Sequence, residues 1–179
     1  MALVLKVLSS TLSLELIMST QGCKPATLFA KMPQSLSKVY LHIVFSTKMR
    51  ARSIHERVRA NLQAYMVGIA ASLGSYVDEI YANPDHVHIL CTLPRTITIA
   101  NFVSKIKRSS SRWIKTQGIE NFKWQGGYAV FSVSHWDLKT VGNYIKNQPK
   151  HHRKATFKEA LIDFFERYNM DYDEQYVWD

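Results

Sequence analysis

An α+β fold built on one four-stranded antiparallel sheet is predicted for this 179-residue chain by three observations. Strand-like and helix-like segments follow each other in the order β-α-β-β-α-β, the boundaries carry recognisable turn, cap or stop residues, and no internal repeat or low-complexity run interrupts the series. With 46% hydrophobic residues the chain has enough apolar material for one core.

The elements are read in order. Lys38 to Thr47, "KVYLHIVFST", is β-branched and aromatic and predicts a strand. Ser53-Ile-His-Glu56 has capping-box form, and Ile54, Val58, Leu62, Tyr65, Met66, Ile69 and Leu73 follow at helical spacing until Gly74 supplies a stop. Tyr76 to Tyr81 predicts a second strand, "NPD" a turn, and His86 to Leu93 a third strand. Thr98 to about Gln117 reads as the second helix, and Tyr128 to Ser134, after the Gly126-Gly127 break, as the fourth strand. This split βαβ order places two helices on one face of the sheet, the ferredoxin-like arrangement shared with RNA-recognition domains. Two more helices follow. Ser134-His-Trp-Asp137 opens one that runs through Val141, Tyr144 and Ile145 and that Pro149 should end. Thr156-Phe-Lys-Glu159 caps the last, whose Phe157, Leu161, Phe164, Phe165 and Tyr168 read as packing.

Residues 1–31 stand apart. Lys6 and Glu15 interrupt their apolar run, so no span reaches the roughly 18 residues of a membrane helix, and neither a charged leader nor an A-x-A cleavage site marks a signal peptide. The expectation is a poorly structured extension, or a start placed too early, ahead of a domain covering 32–179. Cys23 and Cys91 form no CxxC spacing or disulfide framework, which suits the cytoplasm and gives neither a chemical role.

Twenty-three Lys and Arg against fourteen Asp and Glu leave a formal charge of +9, which favours a polyanionic partner. Along the second helix Ile99, Phe102, Val103, Ile106 and Trp113 make an apolar face, and Lys105, Arg108, Arg112 and Lys115 fall nearly opposite. With Lys107 beside them and Lys150, Arg153 and Lys154 after the third helix, they read as phosphate contacts that position a strand without reading its bases. An ordinary solvated helix surface is the plainer alternative. Trp124 can either stack on a base or pack at the entry to the fourth strand.

"NPDHVHIL" opens the third strand with two histidines around one valine. Residues i and i+2 of a strand share a face, so His86 and His88 project side by side, an incomplete metal site that needs a third group. In "YIKNQ", Tyr144 and Gln148 stand at i and i+4 of the third helix, one above the other. A Gln carbonyl can bind a metal with the phenol beside it, although Tyr144 also suits a core position next to Val141 and Ile145.

"PDHVHIL", "WQGGYAVFSVS" and "YIKNQPKHH", in this order, resemble the single-tyrosine HUH transposases of the smallest bacterial insertion sequences and their REP-associated relatives. The resemblance covers about residues 32 to 179. It implies that Tyr144 is the nucleophile, that His86, His88 and Gln148 are metal ligands, and that the protein is a homodimer whose tyrosine helix acts in trans. It further implies single-stranded DNA with hairpins as substrate, cleaved and rejoined through a 5′-phosphotyrosine, and a cytoplasmic protein associated with the nucleoid when bound. Imidazole ligands alone would suit zinc, iron or nickel, whereas the resemblance points to Mg²⁺ or Mn²⁺. Two alternatives stay open. One is a domesticated REP-associated transposase processing genomic hairpins. The other is a non-catalytic RNA-recognition-like module, against which the missing RNP-type run counts. A cyclic phosphodiesterase with paired H-x-T/S motifs is disfavoured, since no second copy of the histidine pair occurs.

Overall fold

Four antiparallel strands, in the spatial order second, third, first, fourth, make the sheet of a computed structural model that describes residues 35–151 and 156–173. The expected 1–31 extension, Arg153, Lys154 and the last six residues lie outside the described residues, and so do the side chains of Lys150 and His151. The strands are β1 (Tyr40–Ser46), β2 (Val77–Ala82), β3 (His86–Thr92) and β4 (Ala129–Val133). The helices are α1 (Glu56–Ser72), α2 (Ile99–Thr116), α3 (Leu138–Lys146), α4 (Gln148–His151) and α5 (Phe157–Arg167). This is the order and strand arrangement the alternating segments predict.

Alternation along the two central strands divides the sheet into two chemically different faces. Leu41, Ile43 and Phe45 of β1 and Val87, Ile89 and Cys91 of β3 point to one side, where they form the main core with Val58, Leu62 and Met66 of α1 and Phe102, Val103 and Ile106 of α2. His42, Val44, His86, His88 and Leu90 point to the other, which α3 and α5 cover through Ile145, Phe157, Leu161 and Phe165. The histidine-bearing face is therefore buried under the C-terminal helices rather than open to water. Cys91 lies in the main core, where burial pushes its thiol up to about 12, consistent with a purely structural residue.

Gly74 ends α1 as expected: it sits at φ +83°, and the Ser75 amide reaches back to Ala70 O at 3.0 Å, closing the terminal carbonyls. The expected capping box at Ser53 does not form. The helix begins two residues later than that box would set, because the Ile54 amide is donated to Pro84 O at 2.9 Å and its side chain is buried in the core. A backbone bond to the β2–β3 turn outweighs a local cap. The box at Thr156 and Glu159 is complete, and the Ser134 hydroxyl accepts from the Asp137 amide at the start of the 3₁₀ turn ahead of α3.

Candidate active site

Register brings the site together. Ser46 pairs with His86, Val44 with His88 and His42 with Leu90, so three histidines from two strands share the covered face. His86 and His88 are buried with ring centroids 5.1 Å apart, and His42 stacks on His88 at 5.2 Å. Tyr144 enters from α3, which Lys146 ties to Glu79 of β2 by a 3.0 Å ion pair and which Ile145 anchors against Leu90 and Val133. Its ring meets His88 edge-on at 5.7 Å.

Tyr144 and Gln148 do not share one helix. α3 stops at Lys146, Asn147 caps it with its side-chain amide donated to Asn143 O at 2.8 Å, and Gln148 begins the next turn. Pro149 explains the break, since it lacks an N–H and its ring opposes continuation of the preceding turn. Gln148 still reaches the site: it is fully buried, and its Oε1 accepts from Asn83 Nδ2, which also lies 2.9 Å from His86 Nε2.

The four-residue turn Asn83-Pro84-Asp85-His86 supplies polar partners that sequence reasoning missed. The His86 Nδ1–H is donated to Asp85 Oδ1 at 2.7 Å, and Arg50 donates to Asp85 Oδ2 at 2.8 Å. That leaves His86 Nε2 with its lone pair, and Asn83 Nδ2 donates to it at 2.9 Å and to Gln148 Oε1 at 3.2 Å. Burial pushes the Asp85 carboxyl up, but the His86 and Arg50 hydrogen bonds outweigh it and hold the group below the ordinary carboxylate range. Burial lowers the pKa of His86, with Asp85 opposing, and that of His42 to about 3, so both rings are neutral at pH 7. Burial raises the Tyr144 phenol, while the Gln148 hydrogen bond works the other way.

The donor set fits a divalent cation. One N–H donor, the Asn83 side-chain amide, stands between His86 Nε2 and Gln148 Oε1, which brings an imidazole nitrogen and a carboxamide oxygen to the same part of the site. Among the described residues no three His, Cys, Asp or Glu side chains gather as a metal site, and the Gln148 carboxamide oxygen is within one bridging group of His86. Phe157 lies 4.2 Å from the His86 ring and Phe164 lies 5.2 Å from His42, which makes α5 the roof of the site.

The basic residues divide. Lys105, Arg108, Arg112 and Lys115 line the exposed side of α2, across the sheet from the histidines. Lys107, expected beside them as a phosphate contact, instead donates its ammonium to the carbonyls of Gln125, Gly126 and Gly127 at 2.7, 3.3 and 2.7 Å, with burial lowering its pKa to about 8. It pins the loop ahead of β4. A cavity of about 630 Å³ opens there, lined by Lys48, Arg108, Lys123 and Tyr128 among others, away from the histidines. Trp124 packs edge-on against Phe45 and Phe122 and donates its indole N–H to Ser110, so of its two readings packing holds.

This fold, with a histidine pair on its central strand and a tyrosine on the helix that follows the sheet, falls in the class of tyrosine-bearing DNA transposases. Residues 35–148 match the family described as "Transposase IS200 like", and the chain belongs to that family of DNA-processing enzymes. It is 26% identical over 114 residues to the ISDra2 transposase TnpA of Deinococcus radiodurans, covering 60% of this chain and 81% of that protein. A crystal structure of a Deinococcus radiodurans R1 protein assigned as a transposase superposes with a TM-score of 0.52 at 25% identity, covering 66% of this chain and 96% of that one. A REP-associated tyrosine transposase, solved bound to a REP hairpin, shares the fold with a TM-score of 0.51 at 16% identity, covering 67% of this chain and 72% of that one. No helix among the described residues is long and apolar enough to cross a membrane.

Proposed function

We propose that this transposase cleaves and rejoins single-stranded DNA at hairpin-flanked ends, with Tyr144 as nucleophile. The observation that carries the reading is the placement of the Tyr144 ring edge-on against His88 at 5.7 Å, with fully buried Gln148 joined to His86 through the Asn83 carboxamide. The Tyr144 oxygen attacks the scissile phosphorus, the bond from phosphorus to the 3′-oxygen breaks, a 5′-phosphotyrosine forms, and the phenolic proton passes, net, to the departing 3′-oxygen. A later 3′-hydroxyl reverses the step, so the bond energy stays in the adduct and no nucleotide cofactor is consumed.

His86, His88 and Gln148 would hold Mg²⁺ or Mn²⁺, which supplies Lewis-acid polarisation of the phosphate. The rest falls to the chain itself. A phenol whose pKa burial raises is neutral at rest, and the Gln148 carboxamide and the Arg167 charge both favour its anion. Neutral His86, its Nδ1–H fixed on Asp85, keeps Nε2 available as a ligand. The α2 stripe lies on the far side of the sheet and would grip DNA flanking the cleaved phosphate, not that phosphate itself. In a dimer with exchanged tyrosine helices, the contacts that Tyr144 and Gln148 make within one chain would form between two.

Incubation of the protein and Mn²⁺ with labelled hairpin-bearing single strands tests the reading. Wild type is expected to give a DNA-sized shift on a denaturing gel, and Tyr144→Phe, which keeps the ring, is expected to bind the DNA without any adduct. An adduct on Tyr144→Phe would assign the nucleophile elsewhere. The same assay on hairpins from the gene's own flanks and from elsewhere in the genome separates a mobile element from a domesticated processor.

A further inference from the structure

We propose that Asn83 is a further protein ligand of the metal site, held in reserve by the orientation of its carboxamide. The inference rests on the metal-binding reading of His86 and Gln148. Asn83 is 4% exposed and its backbone amide is donated to His86 O at 2.7 Å, which fixes the turn and leaves the side chain little freedom except rotation about its last bond. Its Nδ2 sits 2.9 Å from His86 Nε2 and 3.2 Å from Gln148 Oε1.

Both of those atoms present lone pairs, because the His86 proton is committed to Asp85 through Nδ1. In the absence of a cation an N–H donor is therefore the end of the Asn83 carboxamide that fits between them, and an oxygen there would meet two other acceptors. The preference inverts once a cation shares the space. Neighbouring donor atoms of an octahedral Mg²⁺ site with bonds of about 2.0–2.1 Å stand about 3.0 Å apart. The two distances from the Asn83 terminus match that edge length. A half-turn of the carboxamide replaces Nδ2 by Oδ1 at nearly the same place, turning a hydrogen-bond donor into a hard oxygen ligand of the type such cations take. The N–H thus keeps the ligands spaced when the cation is absent, and the oxygen joins them when it is present.

The sign of one substitution decides between this role and that of a simple plug. Loss of an outer partner of a metal ligand already costs about 10–100-fold in affinity, so Asn83→Ala in the full chain is expected to weaken Mn²⁺ binding, measured by calorimetry, by at least about tenfold. Affinity equal to or tighter than wild type overturns the proposal, because removing a mere plug would free the lone pairs. Asn83→Asp carries an oxygen in either orientation but no N–H. Its metal-free form is expected to melt below wild type and Mn²⁺ to restore it, with affinity at least that of wild type. If Asn83→Ala does not fold, weaker binding by Asn83→Asp overturns the proposal on its own. A His86→Ala/His88→Ala chain that binds Mn²⁺ normally would instead remove the metal site on which the proposal stands.

Discussion

His42 Nε2 lies 3.0 Å from His88 Nδ1, in a pair of buried, nearly parallel rings from adjacent strands. For His88 to offer Nε2 to a metal, its Nδ1 must carry the proton and donate it to His42. His42 thus stands to His88 as Asp85 stands to His86, an outer partner that sets which ring nitrogen is available.

The burial of His42 should be visible as acid sensitivity. An unfolded histidine takes up its proton near pH 6.5, whereas the buried ring resists until about 3, so the folded state is at its full advantage above pH 6.5 and loses it as the pH falls toward 3. The loss is on the order of 3–5 kcal/mol over that window. Urea unfolding of the metal-free protein between pH 7.5 and 4 should show it, and His42→Phe, which keeps an aromatic ring beside Phe131 and Phe164, should flatten the curve. An unchanged slope in that variant would place the acid sensitivity elsewhere.

Asp85 joins His86 to Arg50, so Asp85→Asn should act on the metal and not on the core. Mn²⁺ affinity should drop about 10–100-fold, since a neutral amide orients the imidazole less firmly and makes it a weaker donor. Calorimetry beside thermal melting checks it. Unaltered affinity would leave the carboxylate a turn-stabilising group only.

The two kinds of basic residue on α2 should separate experimentally. Replacing Lys105, Arg108, Arg112 and Lys115 by Gln should weaken binding to every single strand alike, lowering the slope of log K against log salt by roughly 0.7 for each phosphate that is no longer neutralised. Lys107→Met should leave that slope as it is and instead loosen the Gln125–Gly127 loop, read as a lower melting temperature and altered Trp124 fluorescence. A slope change in Lys107→Met would return that residue to the DNA.

Exchange of the tyrosine helix can be tested by mixing two inactive chains. Tyr144→Phe and His86→Ala/His88→Ala each lack one half of the chemistry. If the helix acts in trans, the mixed dimer holds one complete site, and phosphotyrosyl DNA should return on the chain that keeps Tyr144. Failure despite proven subunit exchange would assign the reaction to the within-chain arrangement, with Tyr144 on its own His88.

The sheet was legible because its first strand is β-branched and aromatic and its punctuation is local: Gly74, the NPD turn and the Gly126-Gly127 break each act on their own neighbours. The His86 and His88 pair was legible for the same reason, two residues on one face of one strand. What stayed hidden depends on contacts remote in sequence. The start of α1 is set by Ile54 bonding to Pro84, and Lys107 is drawn off the expected DNA surface by carbonyls of a later loop. Arg50 reaches Asp85 from a turn in which Met49 and Arg50 both adopt φ of 53°, a left-handed pair that no local rule assigns to those residue types. His42 lay unremarked in an apolar strand, and only the register with β3 gives it a partner.

The turn at Asn83-Pro84-Asp85-His86 places an ordering on how the site comes into being. The hairpin that sets His86, Asp85 and Asn83 closes through contacts between near neighbours, whereas Gln148 follows Asn83 by 65 residues and Tyr144 is carried on the helix just before it. During synthesis the segment that carries both histidines is complete well before Tyr144 leaves the ribosome. A nascent or prematurely terminated chain would carry the hairpin with its histidines but not Tyr144, so on the proposed chemistry the capacity to cut DNA would arrive last, with the final helices that also roof the site.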